Sequence, residues 1–247
     1  MKRYALIGFP LGHSFSKSYF QSKFEREGLA GLRYDNVEIE TEDSLKAFID
    51  EANFEGANIT IPWKEKALEY LTELSHESKE IGSVNVLKKM PSGQYKGFNT
   101  DWIGFKETLR PLLKPWHTSA LILGDGGATK AVMYVFEKLE IDYQIVSRNP
   151  GDKSGRIAYE NLRQIDVRNA PIIINCTPLG MYPNIDTYPD IPYSGIDKLH
   201  LLIDLVYNPT ETIFLKKGAE KGAMIKNGYD MLVKQAEESW KIWNDQT

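Results

Sequence analysis

The stretch Leu121-Ile122-Leu123-Gly124-Asp125-Gly126-Gly127-Ala128 decides the fold class, because it joins an apolar run to a helical pattern through a glycine-rich turn. The apolar run reads as a strand, and apolar residues recur after the turn at the spacing of one helix face. A strand, a glycine turn and a helix N-terminus together suit a nucleotide pyrophosphate, whose charge meets backbone N–H groups there. Glycine turns also follow strands for purely steric reasons, so this stretch alone leaves dinucleotide binding open.

Short apolar strands alternate with helical patterns on both sides of this turn. Ahead of it, strands are expected at Arg3–Gly8, Tyr34–Ile39 and Ala57–Thr60, followed by a hairpin around Pro91-Ser92-Gly93. A helix is expected to begin at Pro62, since proline is tolerated in a first helical turn. After the turn, further strands are expected at Tyr143–Ser147, Pro171–Asn175, Leu199–Asp204 and Ala223–Lys226. This rhythm predicts an α/β protein, with a doubly wound parallel sheet in its C-terminal half.

The composition is that of an ordinary globular protein. The chain has 247 residues, of which 42% are hydrophobic and 26% charged, and its formal net charge is −4. Nucleic-acid binding is not expected, because that function usually needs a basic face. Cys176 is the only cysteine, which excludes an intramolecular disulfide. No apolar run reaches the roughly 20 residues that cross a bilayer, so we expect a cytoplasmic protein without a membrane or nucleic-acid partner.

The next strand after the glycine turn bears on which dinucleotide would bind. Nicotinamide cofactors without a 2′-phosphate usually meet an acidic residue at that strand's tip. Here the tip reads Ser147-Arg148-Asn149, with Lys153 nearby and no carboxylate. A guanidinium suits a phosphate, so Arg148 favours NADP(H) over NAD(H). Asp125 would repel the pyrophosphate if its carboxylate faced it, and its side chain is therefore expected to point to solvent.

The first hundred residues carry a second polar set that suits a small carboxylate with several hydroxyls. In Asn58-Ile59-Thr60-Ile61-Pro62-Trp63-Lys64, polar and apolar residues alternate, so Asn58 and Thr60 share one face ahead of Lys64. Asp101 follows another strand, and a lysine opposed by an aspartate is a plausible acid–base pair for interconverting a hydroxyl and a ketone. Ser14 and Ser16 offer hydroxyls in the loop after the first strand.

At these residues the chain resembles the shikimate dehydrogenases, and the resemblance covers nearly its whole length. The motifs that carry it, in the order of that family, are Gly12-His13-Ser14-Phe15-Ser16, Asn58-Ile59-Thr60-Ile61-Pro62-Trp63-Lys64, Gly82-Ser83-Val84-Asn85, Gly97-Phe98-Asn99-Thr100-Asp101, the glycine turn, Asn175-Cys176-Thr177-Pro178-Leu179-Gly180-Met181, Asp204-Leu205-Val206-Tyr207-Asn208-Pro209 and Gly228-Tyr229-Asp230-Met231-Leu232-Val233-Lys234-Gln235. One such motif is weak evidence, whereas the full ordered set is highly specific.

The resemblance implies an NADP-dependent oxidoreductase acting on a CH–OH group. Its reaction would be the reversible reduction of 3-dehydroshikimate to shikimate by NADPH, on the route to chorismate and the aromatic amino acids. Lys64 and Asp101 would be the catalytic pair, with Ser14 and Ser16 holding the substrate carboxylate. The remaining substrate contacts that it implies are Asn58, Thr60, Asn85 and Gln235, with Tyr207 lining the junction between the domains.

The resemblance also implies the cofactor site and the domain plan. NADP(H) would be held by Gly124, Asp125, Gly126, Gly127, Ala128, Ser147, Arg148, Lys153, Thr177, Leu205 and Gly228. Residues 1–101 would form the substrate domain and 102–227 the Rossmann-like NADP domain, while 228–247 would return to the first domain as a helix. No metal is expected, and a monomer and a homodimer both remain open.

Other functions share parts of these patterns. A quinate/shikimate dehydrogenase that uses NAD would have an acidic strand tip in place of Arg148. A folate-linked methylene dehydrogenase also uses a lysine, but the paired serines and Asn99-Thr100-Asp101 favour the shikimate interpretation. A methyltransferase would leave the motifs of the first half unexplained. A non-catalytic NADP-binding sensor would have no need to keep both Lys64 and Asp101.

Overall fold

The computed structural model describes residues 1–12, 15–51, 53–151 and 155–246, and the chain divides into two compact units. The first unit consists of Met1–Asp101 together with Gln235–Thr247, and the second of Trp102–Lys234. The first unit is therefore built from both ends of the chain, whereas the second is one continuous segment.

The first unit contains a mixed six-stranded sheet. Its strands are β1 (Lys2–Gly8), β2 (Leu32–Glu38), β3 (Gly56–Ile59), β4 (Glu73–Leu74), β5 (Val86–Lys89) and β6 (Tyr95–Phe98). Its helices are α1 (Phe15–Arg26), α2 (Glu42–Glu51) and α3 (His76–Ile81). The strand order is β2-β1-β3-β5-β6-β4, with β5 antiparallel to both of its neighbours and the other pairs parallel. The antiparallel pair β5–β6 is the hairpin expected around Pro91-Ser92-Gly93.

Alternation of side chains along the central strands gives this sheet two buried faces. Tyr4 and Leu6 of β1 belong to one apolar cluster, while Ala5 and Ile7 belong to the other. Because successive strand side chains point to opposite faces, a run of apolar residues signals a strand covered on both sides. The cluster around Tyr4 is completed by Trp243 from the C-terminal segment of the chain.

The second unit contains a six-stranded sheet in which every pairing is parallel. Its strands are β7 (Ser119–Leu123), β8 (Asp142–Ser147), β9 (Arg156–Ala158), β10 (Ile172–Asn175), β11 (Leu201–Asp204) and β12 (Met224–Lys226). Its helices are α4 (Asp101–Leu109), α5 (Gly127–Lys138), α6 (Gln164–Arg168) and α7 (Ile213–Ala219), and α8 (Tyr229–Trp243) leads from it into the first unit. The order β12-β11-β10-β7-β8-β9 is that of the dinucleotide-binding doubly wound sheet. The predicted α/β class is confirmed.

The prediction of a helix beginning at Pro62 is wrong. The chain makes a tight turn there, and a short 3-10 helix follows at Lys66–Tyr70. Tertiary contacts fix the backbone in this region: the buried Trp63 indole donates to the Ile39 carbonyl at 2.7 Å, and the Lys64 carbonyl accepts from the Val84 N–H at 2.8 Å. The Lys64 carbonyl is thus tied to the loop between α3 and β5, far along the chain.

Candidate functional site

Lys64 and Asp101 form an ion pair in the first unit. Lys64 follows β3 and Asp101 begins α4, and the Lys64 Nζ lies 2.7 Å from the Asp101 Oδ2. The side chain of Asp101 is 3% exposed and that of Lys64 is 16% exposed. A carboxylate so deeply buried is stable only with charged or polar partners, and the lysine supplies one of them. The Lys64 side chain is thus partly exposed, whereas its partner is buried.

Asn85 is the hub of the polar cluster around this pair. Its Nδ2 lies 2.9 Å from the Asp101 Oδ1, 3.1 Å from the Thr100 Oγ1 and 3.1 Å from the Gln235 Oε1. Its Oδ1 accepts from the Thr100 backbone N–H at 2.7 Å. Asn99 supports the same turn, since its Oδ1 accepts from the Asp101 N–H at 3.0 Å. These bonds hold the Asp101 carboxylate in a single orientation.

Asn58 and Ser16 lie on a second branch of hydrogen bonds in the same unit. The Tyr34 hydroxyl donates to the Asn58 Oδ1 at 2.8 Å, and the Asn58 Nδ2 donates to the Ser239 Oγ at 3.0 Å. Ser16, on the first turn of α1, hydrogen-bonds Tyr34, which is fully buried. Burial raises the pKa of the Tyr34 hydroxyl well above its ordinary value, so it acts as a neutral donor. Thr60, half-buried, directly follows β3.

The structure brings together most of the predicted substrate residues within the first unit. Gln235 belongs to it because the last thirteen residues, Gln235–Thr247, pack with Met1–Asp101. Tyr207 is half-buried and lies after β11 in the second unit, where burial raises the pKa of its hydroxyl. Ser14 lies outside the described residues.

The glycine turn of the second unit has the shape of a phosphate cradle. Gly124 has a φ of +104°, and a Cβ on it would lie 2.8 Å from the Thr177 Cγ2, so only glycine fits. Gly126 caps α5 without a side-chain hydrogen bond, and a Cβ there would meet no atom within 4 Å. Open space thus lies beside Gly126, directly before the first turn of α5, which begins with Gly127 and Ala128. These features fit the pyrophosphate of a dinucleotide.

The cationic part of the predicted cofactor site lies at the carboxyl end of β8. Ser147 is buried there, and its Oγ accepts from the Asn149 N–H at 3.3 Å, while Arg148 is exposed. Lys153 lies outside the described residues. A guanidinium exposed at this strand tip is suited to a 2′-phosphate, and Ser147-Arg148-Asn149, the described residues of the tip, offer no carboxylate to bind a bare ribose.

Asp125 is exposed, in line with expectation, but its carboxylate also has a partner that the sequence did not suggest. Its Oδ2 pairs with the Arg156 Nη1 at 2.6 Å, and the Asp125 side chain is 29% exposed. Arg156 comes after the loop that follows β8, so its approach to the turn depends on tertiary structure that local sequence does not encode. The ion pair offsets the negative charge that Asp125 adds to the turn.

The other predicted cofactor residues follow the carboxyl ends of neighbouring parallel strands. The Asn175 Oδ1 accepts from the Thr177 hydroxyl at 2.6 Å and from its N–H at 3.0 Å. Leu205 follows β11, and its N–H donates to the Asn175 carbonyl at 3.0 Å. A Cβ on Gly228 would overlap the Leu205 carbonyl, so the backbones touch there. In doubly wound sheets, ligands bind beyond the carboxyl ends of the strands.

Sequence reasoning missed three residues that belong to these clusters. Ser239 and Tyr34 carry the hydrogen bonds on either side of Asn58, and Arg156 neutralises Asp125. Ser239 could have been found, since it lies one helical turn beyond Gln235 and therefore on the same face of α8. Tyr34 reads only as a strand residue, and nothing local marks Arg156.

Two kinds of feature are missing from the part of the chain that the structure describes. No helix there combines the length and the apolar character that crossing a membrane requires. In the same part, histidine, cysteine and acidic side chains do not gather in groups of three or more that could hold a metal ion.

Comparison with known proteins gives a consistent result for both units. The family model described as the shikimate dehydrogenase substrate-binding domain matches residues 6–87. The shikimate dehydrogenase (NADP(+)) of Methanococcus maripaludis is 36% identical, over 98% of this chain and 91% of its own. The enzyme of the same name from Clostridium beijerinckii is also 36% identical, over 99% of this chain and 93% of its own.

Solved structures extend the likeness to three dimensions. Shikimate 5-dehydrogenase from Thermus thermophilus, in complex with NADP(H) and shikimate, superposes with a TM-score of 0.87 and is 30% identical. The match covers 99% of this chain and 94% of that structure. The likeness therefore includes both units and the order of their elements.

Proposed function

Because the chain belongs to the shikimate dehydrogenase family, we propose that it catalyses the reversible NADPH-dependent reduction of 3-dehydroshikimate to shikimate, on the route to chorismate and the aromatic amino acids. The observation that carries this proposal is the buried pair of Lys64 and Asp101, 2.7 Å apart among uncharged hydrogen-bonding groups. One cation among several neutral donors and acceptors matches a small substrate with a carbonyl and several hydroxyls.

In the direction of reduction, the bound NADPH supplies the hydride that converts the carbonyl carbon into a carbinol carbon. The residues of the chain act on the oxygen atom, which gains negative charge as the carbon is reduced. The Lys64 ammonium stabilises that charge and donates a proton, and it then regains a proton from water. Asp101 holds the Lys64 Nζ in place and accepts a hydrogen bond from the substrate hydroxyl once it has formed.

Selection of NADP(H) is assigned to backbone and cationic groups of the second unit. The N–H groups at Gly126 and Gly127 would hold the pyrophosphate, and the Arg148 guanidinium would hold the 2′-phosphate. Lys153 adds a further positive charge to the same segment. The ion pair between Arg156 and Asp125 keeps the Asp125 carboxylate from repelling the pyrophosphate.

The substrate carboxylate is assigned to Ser14 and Ser16, and the ring hydroxyls to the neutral groups near the ion pair. These groups are Asn58, Thr60, Asn85 and Gln235. Cytoplasmic location and action as a monomer or a homodimer belong to the same proposal. The sole cysteine supports a reducing compartment, since the fold makes no use of an intramolecular disulfide.

Purified protein mixed with shikimate and NADP⁺ tests this function through the growth of absorbance at the nicotinamide band. We expect turnover with this pair and much slower turnover with quinate and NAD⁺. The reverse preference would identify a quinate dehydrogenase. Tight NADP⁺ binding without turnover on either substrate would identify a non-catalytic sensor.

Replacing Arg148 with aspartate is expected to raise the KM for NADP⁺ by roughly tenfold to a hundredfold. The reason is the loss of a charge-assisted contact to the 2′-phosphate, worth about 1.5–3 kcal/mol. The KM for NAD⁺, which lacks that phosphate, should change much less, and steady-state kinetics with both cofactors measure the difference. Arg163→Asp, on an exposed arginine outside the site, is the matched control. Equal effects of Arg148→Asp on both cofactors would contradict the assignment.

Replacing Ser14 and Ser16 together with alanine is expected to raise the KM for shikimate by about tenfold or more. Two neutral hydrogen bonds to one carboxylate are lost, each worth about 1 kcal/mol or somewhat more because the acceptor is charged. The dissociation constant for NADP⁺, measured by titration calorimetry, should stay within about twofold. Ser18→Ala is the control, since Ser18 is an exposed serine on α1, the helix that carries Ser16. A doubly substituted enzyme with normal shikimate affinity would rule out this carboxylate site.

A further inference from the structure

Ser239 is a fully buried serine on α8 whose hydroxyl joins three parts of the first unit. Its Oγ donates to the Gln235 carbonyl at 2.8 Å, one turn earlier in the helix. It accepts from the Asn58 Nδ2 at 3.0 Å and lies 3.3 Å from the Thr100 Oγ1. One side chain thus contacts the end of β3, the turn before α4 and the backbone of α8.

The direction of each of these bonds follows from the number of hydrogens. A hydroxyl has one hydrogen and two lone pairs, and the bond to the Gln235 carbonyl uses that hydrogen. Ser239 can therefore only accept from Asn58 and Thr100. Asn58 must turn its amide nitrogen towards Ser239, which leaves its Oδ1 facing Tyr34, with one lone pair remaining. Thr100 can give its one hydroxyl hydrogen to Ser239 or to the Asn85 Oδ1, each of which lies 3.3 Å from its Oγ1.

Further hydrogen bonds lead from Thr100 to the catalytic carboxylate of Asp101. The Thr100 Oγ1 accepts from the Asn85 Nδ2 at 3.1 Å, and the other N–H of Asn85 goes to the Asp101 Oδ1 at 2.9 Å. The two hydrogens of the Asn85 amide are shared among three acceptors, since the Gln235 Oε1 also lies 3.1 Å from its Nδ2. Connected hydrogen bonds of this kind polarise and strengthen one another.

We propose that Ser239 is a positioning residue of the shikimate site, which orients Asn58 as an acceptor and, through Thr100, supports the Asn85 amide beside the Asp101 carboxylate. This inference rests on the proposed function. Ser239 itself touches no substrate; it acts through the two amides on either side of it. Its contribution is therefore expected in substrate affinity, and the contacts of NADP⁺ with the second unit do not involve it.

Ser239→Ala is expected to raise the KM for shikimate roughly three- to tenfold, the range for one lost hydrogen bond of 0.5–1.5 kcal/mol. The kcat and the KM for NADP⁺ should change by less than about threefold, because Lys64 and Asp101 keep their own bond. Ser78→Ala is the matched control, since Ser78 is a fully buried serine on α3 of the same unit. It should leave the KM for shikimate unchanged.

Thr100→Val is a second variant, nearly equal in volume, that breaks the chain one step further along. It removes the hydroxyl that links Ser239 to the Asn85 Nδ2, so the Asn85 amide loses one of its three acceptors and the KM for shikimate should again rise. In an Asn58→Ala background, Ser239→Ala should add less to that KM than it does in the wild type. Either variant suffices should the other fail to fold.

Three results would overturn the positioning role. The first is an unchanged KM for shikimate in the folded variants, and the second is a parallel rise in the KM for NADP⁺. The third is a double variant, Ser239→Ala with Asn58→Ala, whose rise in the KM for shikimate equals the product of the two single rises. A wild-type protein that does not turn over shikimate with NADP⁺ would instead refute the proposed function. The two failures are therefore distinguishable in the same set of assays.

Discussion

Lys64→Ala is expected to lower kcat for shikimate oxidation by at least about a hundredfold. General acid–base catalysis contributes about 10²- to 10⁴-fold, and the lysine is the group that exchanges a proton with the substrate oxygen. The KM for shikimate should change far less, because the interaction is made mainly in the transition state. Steady-state kinetics over a range of shikimate concentrations, at saturating NADP⁺, measure both constants.

Lys64→Met separates charge from bulk in this prediction. It retains the length of the side chain without the ammonium and should be as poor as the alanine variant. Lys66→Ala is the matched control. Lys66 lies two residues after Lys64 and pairs with Glu42 and Glu69 instead. A normal kcat with weakened shikimate binding would make Lys64 a binding residue, and Asp101 would then be the first candidate for the acid–base role.

Asp204 is expected to make the folded protein less stable as the pH rises through about 6. Its carboxyl group is fully buried at the end of β11, and burial raises its pKa from 3.8 to about 6. Hydrogen bonds from Thr212, Val206 and Asn175 lower this pKa but do not cancel the effect of burial. A pKa that is higher in the folded state adds stability below the unfolded pKa, and this stability is lost as the pH rises through the folded pKa. The total is about 3 kcal/mol, since each pKa unit is worth about 1.4 kcal/mol.

Asp204→Asn is the variant that measures this effect, because an amide keeps the shape and cannot ionise. Its free energy of unfolding relative to the wild type should improve by about 2 kcal/mol between pH 4.5 and 7.5. Urea unfolding of both proteins, followed by tryptophan fluorescence, gives the difference, in which the titration of all other groups cancels. A difference that does not vary with pH would show that the Asp204 carboxyl has an ordinary pKa.

The sequence predicts the parallel sheet of the second unit because its signals are local. The apolar run ending at Leu123, the glycine turn and the helical face beyond it lie in one continuous segment, and each constrains the next. The short elements α6 and α7 were missed, since five or seven residues carry too little periodicity to stand out. The turn after Pro62 does not follow from the local sequence, because the burial of Trp63 depends on Ile39, which is distant in the chain.

The sequence predicts which residue types form the candidate site, but not which hydrogen bonds and ion pairs join them. The sequence indicates that Lys64 faces Asp101, since each follows a strand of the same sheet, and the two are 2.7 Å apart. It does not indicate that Asp125 pairs with Arg156, or that Ser239 decides how an amide faces. Those facts depend on distances between elements far apart in sequence, and hydroxyl directions depend on every neighbour at once.

The composition of the first unit from both ends of the chain has a consequence for the timing of its synthesis. Trp243, whose indole donates to the Leu87 carbonyl at 2.9 Å, is translated only after the whole of the second unit. At about 5–20 residues per second, the ribosome needs on the order of ten seconds to reach it after Asp101. During that interval the face around Tyr4, Phe20 and Tyr34 lacks its tryptophan, so the nascent first unit is a candidate client for chaperones while the second matures ahead of it.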